Sequence, residues 1–149
     1  MMELFLVTVG CFLAVVGFAV LVETPGKYLL QAGFAGACGG GVYFFGMQKG
    51  LDTVPACFLS ALVISLLAHI FARIFKAPVT VFLIAGILPT VPGAGMYRAV
   101  YYIITDDRAR SSYYLIQTLE IAGVIALAVF IVDAVFRIKI PRRQEKDRS

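Results

Sequence analysis

Two prolines, two glycines and an arginine stand together in an otherwise apolar stretch, Pro89-Thr90-Val91-Pro92-Gly93-Ala94-Gly95-Met96-Tyr97-Arg98. Each proline removes a backbone donor and the glycines weaken the helical ladder. The spacing therefore predicts two half-helices, roughly Val79 to Leu88 and Pro92 to Ile104. Pro92 suits the first helical position, where its missing donor would be unpaired in any case. The N–H groups of Gly93, Ala94 and Gly95 would then form the positive end of a helix dipole, a setting that attracts carboxylates. Arg98 follows about one turn later and adds a guanidinium. A proline kink that only fits helices together is the competing reading, and residue types leave both open.

Four ionisable residues lie within the spans, where they are costly and count as candidates for function on that ground. Glu120 and Arg98 lie at similar estimated distances from a 105–112 loop, so adjacent antiparallel helices would pair them, either as a structural lock or to handle substrate and proton. Ser65, His69 and Arg73 recur at spacings of four and form a polar stripe toward the interior or an interface. His69, the single histidine, reads as a packed residue or a proton relay. Asp133 precedes Arg137 by four residues, a spacing that favours a local salt bridge. Glu120 and Asp133 are thirteen residues apart, about 220° around a helix at 100° per residue, so they do not share a site.

Enzymatic chemistry has no visible footing. There is no Ser, His and Asp set, no Cys and His metal cluster and no phosphate loop after a strand. Neither a cofactor nor a metal is expected. Cys11, Cys38 and Cys57 fall in three separate apolar segments and read as small packing residues. Asp106 and Asp107 beside Arg108 and Arg110 read as a solvated hairpin tip.

The elements that must position these groups are membrane helices. Of 149 residues, 60% are hydrophobic and 15% charged, far from the about 25% charged in soluble domains. Mean hydropathy is +0.90. Charge-poor segments at about 4–22, 28–48, 53–75, 78–104 and 113–138 are each long enough to span. The expected fold is an all-α integral membrane bundle of about five transmembrane helices, the fourth broken at the Pro-Gly motif. It forms one domain over 1–140, followed by a basic polar tail, 141–149. The first segment reads as a retained helix, because Glu3 stands where a signal peptide carries positive charge.

The net charge of +4 does not point to nucleic acid. Six of the thirteen Lys and Arg residues lie between Arg137 and Arg148, which is an orientation signal with anionic phospholipid as its contact. With five spans and the N-terminus outside, nine of the thirteen basic residues fall on the inner side; a re-entrant fourth segment would leave seven. The positive-inside rule favours the first arrangement, N-out and C-in. Tyr43, Tyr101, Tyr102, Tyr113 and Tyr114 would then gather at one interface. In the second segment Ala32, Gly36, Gly40 and Gly33, Ala37, Gly41 form small-residue stripes, which read as a close helix contact or as a helix loosened beside a permeation path.

The stretch from Gly86 to Tyr101, with Pro-x-x-Pro-Gly followed by Tyr-Arg and a further aromatic, resembles the threonine/serine exporter family, and in particular its small second half. The resemblance runs from about Ala68 through Arg137. It implies export of small amino acids such as threonine and serine, or of related small carboxylates, driven by the proton gradient across a bacterial inner membrane. It also implies a larger membrane half as partner, with self-assembly as a further option. The candidate substrate-binding set is Pro89, Pro92, Gly93, Ala94, Gly95, Tyr97 and Arg98; Glu120, His69 and Asp133 are the candidate proton-coupling groups. A membrane interaction protein that does not transport is the alternative.

Overall fold

The computed structural model describes residues 2–138. The basic tail and its lipid contact lie outside the described residues. The fold is all-α, with α1 Met2–Leu21, α2 Leu29–Gln48, α3 Thr53–Ile74, α4 Val79–Gly86, α5 Gly93–Ile104 and α6 Arg108–Ile138. Short 3-10 turns stand at Gly26–Tyr28 and Leu88–Thr90.

Four of the connections reverse the chain in the same way. Glu23, Gly50, Lys76 and Asp106 have positive φ and each follows a helix. The next residue's N–H then reaches back to close a Schellman cap: Thr24 to the Ala19 carbonyl at 2.9 Å, Leu51 to Gly46 at 3.1 Å, Ala77 to Ala72 at 3.0 Å and Asp107 to Tyr102 at 2.9 Å. Pro25 and Pro78 come soon after two of these caps, where a helix cannot continue. The α4–α5 junction has no left-handed residue. It bends the chain by 54° without reversing it.

Side-chain contacts give the direction of every helix. On α2, Gly33 meets Phe12 and Val16, Gly40 meets Cys11 and Gly41 meets Thr8, so α1 and α2 are antiparallel. Gly39 against Ile64 and Gly46 against Ala56 make α2 and α3 antiparallel. Between α3 and α6 the offset stays nearly constant, His69 to Asp133 and Arg73 to Phe136, so these two run parallel. Phe82 beside Phe71 and Gly86 beside Ile64 set α4 against α3. Ser111 bonded to Ala99 and Thr118 beside Gly95 set α5 against α6. Both halves of the broken segment therefore run the same way and carry the chain from one end of the bundle to the other. A re-entrant hairpin would have made α6 antiparallel to α3.

By length and composition α1, α3 and α6 can each cross a membrane, and the bent pair makes four. The fifth crossing in the expected count is α2, whose six glycines lower its hydropathy. These glycines hold it at the centre. A Cβ on Gly33 would come within 2.6 Å of Val16, and Cβ atoms on Gly36, Gly39 and Gly40 would overlap Val15, Ile64 and Cys11. Close backbone approach is thus the role of the stripes, and α2 stays helical through Gly39–Gly41. Ser60 Oγ adds a 2.7 Å hydrogen bond to the Gly39 carbonyl.

Candidate functional site

The cradle at the start of α5 has a different construction from the expected one. Pro92 caps the helix instead of opening it, with φ −78° and ψ 53°, an inverse γ-turn. That turn lets the Gly93 N–H donate to the Val91 carbonyl at 2.8 Å, so Gly93 is not a free donor. The first helical bond runs from Met96 N–H to the Pro92 carbonyl at 3.0 Å, and the N–H groups of Ala94 and Gly95 have no backbone acceptor. Both residues line a cavity of about 340 Å³ between α3, α5 and α6 and the 3-10 turn, whose wall includes Pro89 and Pro92 to Gly95.

Position 95 has to be glycine for α5 to seat on α6, because a Cβ there would stand 2.6 Å from Thr118 Oγ1. Thr118 is 9% exposed, and its hydroxyl is buried without a hydrogen-bond partner. Arg98 lies at the edge with its guanidinium 5.5 Å from the Tyr114 ring centre. Tyr43, Thr53 and Gln117 complete the polar wall. Arg98 is the one charged residue in that wall, and no carboxylate lines it among the described residues. Two free N–H groups, an orphan hydroxyl and a guanidinium make a cavity that favours a small anion.

The threonine/serine exporter (ThrE) family profile matches residues 7–135. The chain belongs to this family. The matched region takes in the broken α4–α5 segment, the cradle and nearly all of α6. No solved structure matches the chain. Membership places this ThrE-family protein among membrane transport proteins.

The expected Arg98–Glu120 pair does not form. The connection between α5 and α6 covers only residues 105–107, so α6 begins five residues earlier than the expected span. Arg98 then lies six residues, about 9 Å, from its end of α5, whereas Glu120 lies twelve, about 18 Å, into α6 at 1.5 Å per residue. The residue level with Arg98 is Tyr114. Glu120 is exposed and lines a neighbouring cavity with Asp52, which shares Thr53 and Gln117 with the first. Tyr97 points away from the cradle; it is 69% exposed and stacks on Tyr101 at 6.2 Å.

At the opposite end of α3 and α6 the protein builds a second polar centre. Asp133 Oδ2 accepts a 2.7 Å bond from Arg137 Nε, the local pair expected from spacing. Its other oxygen lies 3.4 Å from His69 Nε2, a contact that spacing within one helix does not reveal. His69 Nδ1 lies 2.9 Å from the Ser65 carbonyl. Arg73 donates to the Phe136 carbonyl at 3.2 Å and stacks over its ring at 4.4 Å. Of the stripe Ser65, His69 and Arg73, the last two face α6, and the buried Ser65 meets His69 through its backbone carbonyl. Glu120 and Asp133 occupy separate cavities.

The sequence alone gives no role to Thr118 and Gln117, and it reads Tyr43 and Tyr114 as interface residues instead of as part of this wall. Polar residues on an apolar helix are a visible signal, but which of them face α5 depends on where α6 begins. Four of the five tyrosines gather by ring contact: Tyr102 stacks on Tyr114 at 5.6 Å, with Tyr101 and Tyr113 edge-on beside them, while Tyr43 shares only the cavity wall with Tyr114. The loop aspartates pair with their arginine neighbours, Arg110 to Asp107 at 3.4 Å and Arg108 to Asp106 at 3.8 Å, at the exposed tip. No group of His, Cys, Asp and Glu suited to a metal occurs among the described residues.

Proposed function

We propose that this protein is a membrane subunit of a secondary exporter for threonine, serine or related small carboxylates, and that the substrate carboxylate binds at the start of α5. The observation that carries this reading is the convergence of the Ala94 and Gly95 N–H groups, the orphan Thr118 hydroxyl and Arg98 on one small cavity. A half-helix N-terminus inside a broken span is a recurrent way for transporters to hold a carboxylate. In this reading Glu120, across the shared Thr53 and Gln117 wall, takes the substrate's ammonium group or a proton.

The reading includes five spans with the N-terminus outside, in a bacterial inner membrane, and a larger membrane half as partner. The need for a partner is supported by Arg98 and Glu120. Both open to the outside of the bundle, and for Glu120, about 18 Å into α6, a charge facing lipid costs about 2.5–3.5 kcal/mol on insertion scales. A polar surface of a second subunit removes that cost.

The test is competition binding. The protein is co-purified with the larger half in nanodiscs, and displacement of labelled L-threonine is measured with L-serine and with L-threoninamide, which lacks the carboxylate. Serine competes and the amide does not. Equal competition by the amide would overturn the carboxylate assignment.

A further inference from the structure

We propose that His69 and Asp133 together form a proton-binding site at the end of the bundle opposite the α5 cradle. The argument rests on which atoms can donate. His69 Nδ1 faces the Ser65 carbonyl at 2.9 Å, and a carbonyl only accepts, so Nδ1 carries a hydrogen. Nε2 faces Asp133 Oδ1 at 3.4 Å, and an ionised carboxylate also only accepts. A neutral ring with its hydrogen on Nδ1 would set a lone pair against a carboxylate. The contact becomes a hydrogen bond when one further proton lies on Nε2, which sets an imidazolium against the carboxylate. The two residues bind that proton as a unit.

The surroundings make the proton exchangeable. His69 is 6% exposed, but the Asp133 side chain is 38% exposed. Both line an open cavity of about 720 Å³ that reaches the end of the bundle. From α6, Arg137 holds the other carboxylate oxygen at 2.7 Å and competes for the negative charge. From α3, Arg73 lies in the same cavity but is directed to the Phe136 carbonyl and ring. Ala77 and Val79 bring no charge from the α4 side. The Phe136 ring packs on the imidazole at 4.8 Å, which restricts how the ring turns.

Binding has a structural consequence. His69 to Asp133 is the one hydrogen bond between side chains that joins α3 to α6 among the described residues. With the proton bound, the two parallel helices are linked at this end. When it leaves to the cavity, Asp133 keeps Arg137 and this bond opens, which leaves Arg73 on the Phe136 carbonyl as the polar contact between the two helices at this end. The site lies sixteen residues along α3 from Thr53 of the cradle, about 24 Å at 1.5 Å per residue. It stands independently of what the cradle binds.

Because His69 is the only histidine, its ring nitrogens give unambiguous signals. The experiment is nitrogen NMR of the full chain in lipid nanodiscs with labelled histidine, read between about pH 5 and 8. The ring is expected to pass between singly and doubly protonated forms, with the Nδ1 hydrogen kept and the Nε2 hydrogen lost. At about pH 6.5, Asp133→Asn should lower the ratio of doubly to singly protonated ring, because the carboxylate facing Nε2 is gone. Arg137→Gln should raise it. Asp106→Asn, at the other end of α6, should not move it. An unchanged ratio in Asp133→Asn, or a ring that holds one state over the whole range, overturns the proposal. If Asp133→Asn does not fold, the wild-type titration and Arg137→Gln decide, and an unmoved ratio in Arg137→Gln counts against the site.

Discussion

Replacing Thr118 by valine separates a binding site from a packing contact, because the two readings predict opposite signs. Valine keeps the shape and the β-branching of threonine and removes only the hydroxyl. That hydroxyl is buried without a partner, and an unsatisfied buried polar group costs about 1–3 kcal/mol. A helical threonine can turn its hydroxyl to the carbonyl four residues back, so the lower end applies. Thr118→Val should therefore stabilise the substrate-free protein by about 1 kcal/mol, roughly fivefold in the unfolding constant. Substrate binding should move the other way. A hydrogen bond to a charged group contributes about 1.5–3 kcal/mol, and with two N–H groups and Arg98 still present the loss should be about tenfold in Kd. The measurements are reversible unfolding of the chain in mixed micelles and threonine binding by the assembled transporter. Destabilisation without loss of affinity would refute the assignment and make Thr118 a packing residue.

Arg98→Gln should weaken threonine binding by about five- to thirtyfold, a range reduced for the exposure of the guanidinium, while Arg98→Lys keeps part of the affinity; equilibrium binding by both variants checks this. Gly40→Ala should lower the unfolding temperature, because its Cβ overlaps Cys11, and Cys11→Gly should restore it; Gly17→Ala, with nothing within 4 Å, should be neutral or slightly stabilising. Single cysteines in place of Lys49 and Asp106, in a background without the native cysteines, should react with an impermeant reagent from outside, and those at Glu23 and Lys76 only after permeabilisation. Reactivity of Lys76→Cys and Asp106→Cys from the same side would refute the single crossing by α4 and α5.

Local chemistry makes much of this protein legible in its residues alone. Proline and glycine at 89–95 announce a broken helix, and α4 and α5 end within two residues of the expected bounds. The small-residue spacing on α2 announces close packing, since only hydrogen at those positions lets backbones touch in lipid. Asp133 and Arg137 are readable as a pair because both belong to one helix turn. The Arg98–Glu120 pairing fails for a related reason: matching depth across a turn depends on where each helix starts, and an error of five residues moves a side chain by about 7 Å.

Partners that arise from non-adjacent helices were decided only by the tertiary structure. His69 meets Asp133 because α3 and α6 run parallel at a fixed offset, and that follows from α4 and α5 carrying the chain across between them. Thr118 loses its hydrogen-bond partner only because Gly95 brings α5 onto it. Sequence determined which segments are helical, where the broken one yields and which glycines admit a neighbour, because propensity, proline geometry and side-chain size act within a few residues. The faces that meet, and so the groups that become a cradle or a proton site, were set by helix register and direction, which arise only when the whole bundle packs.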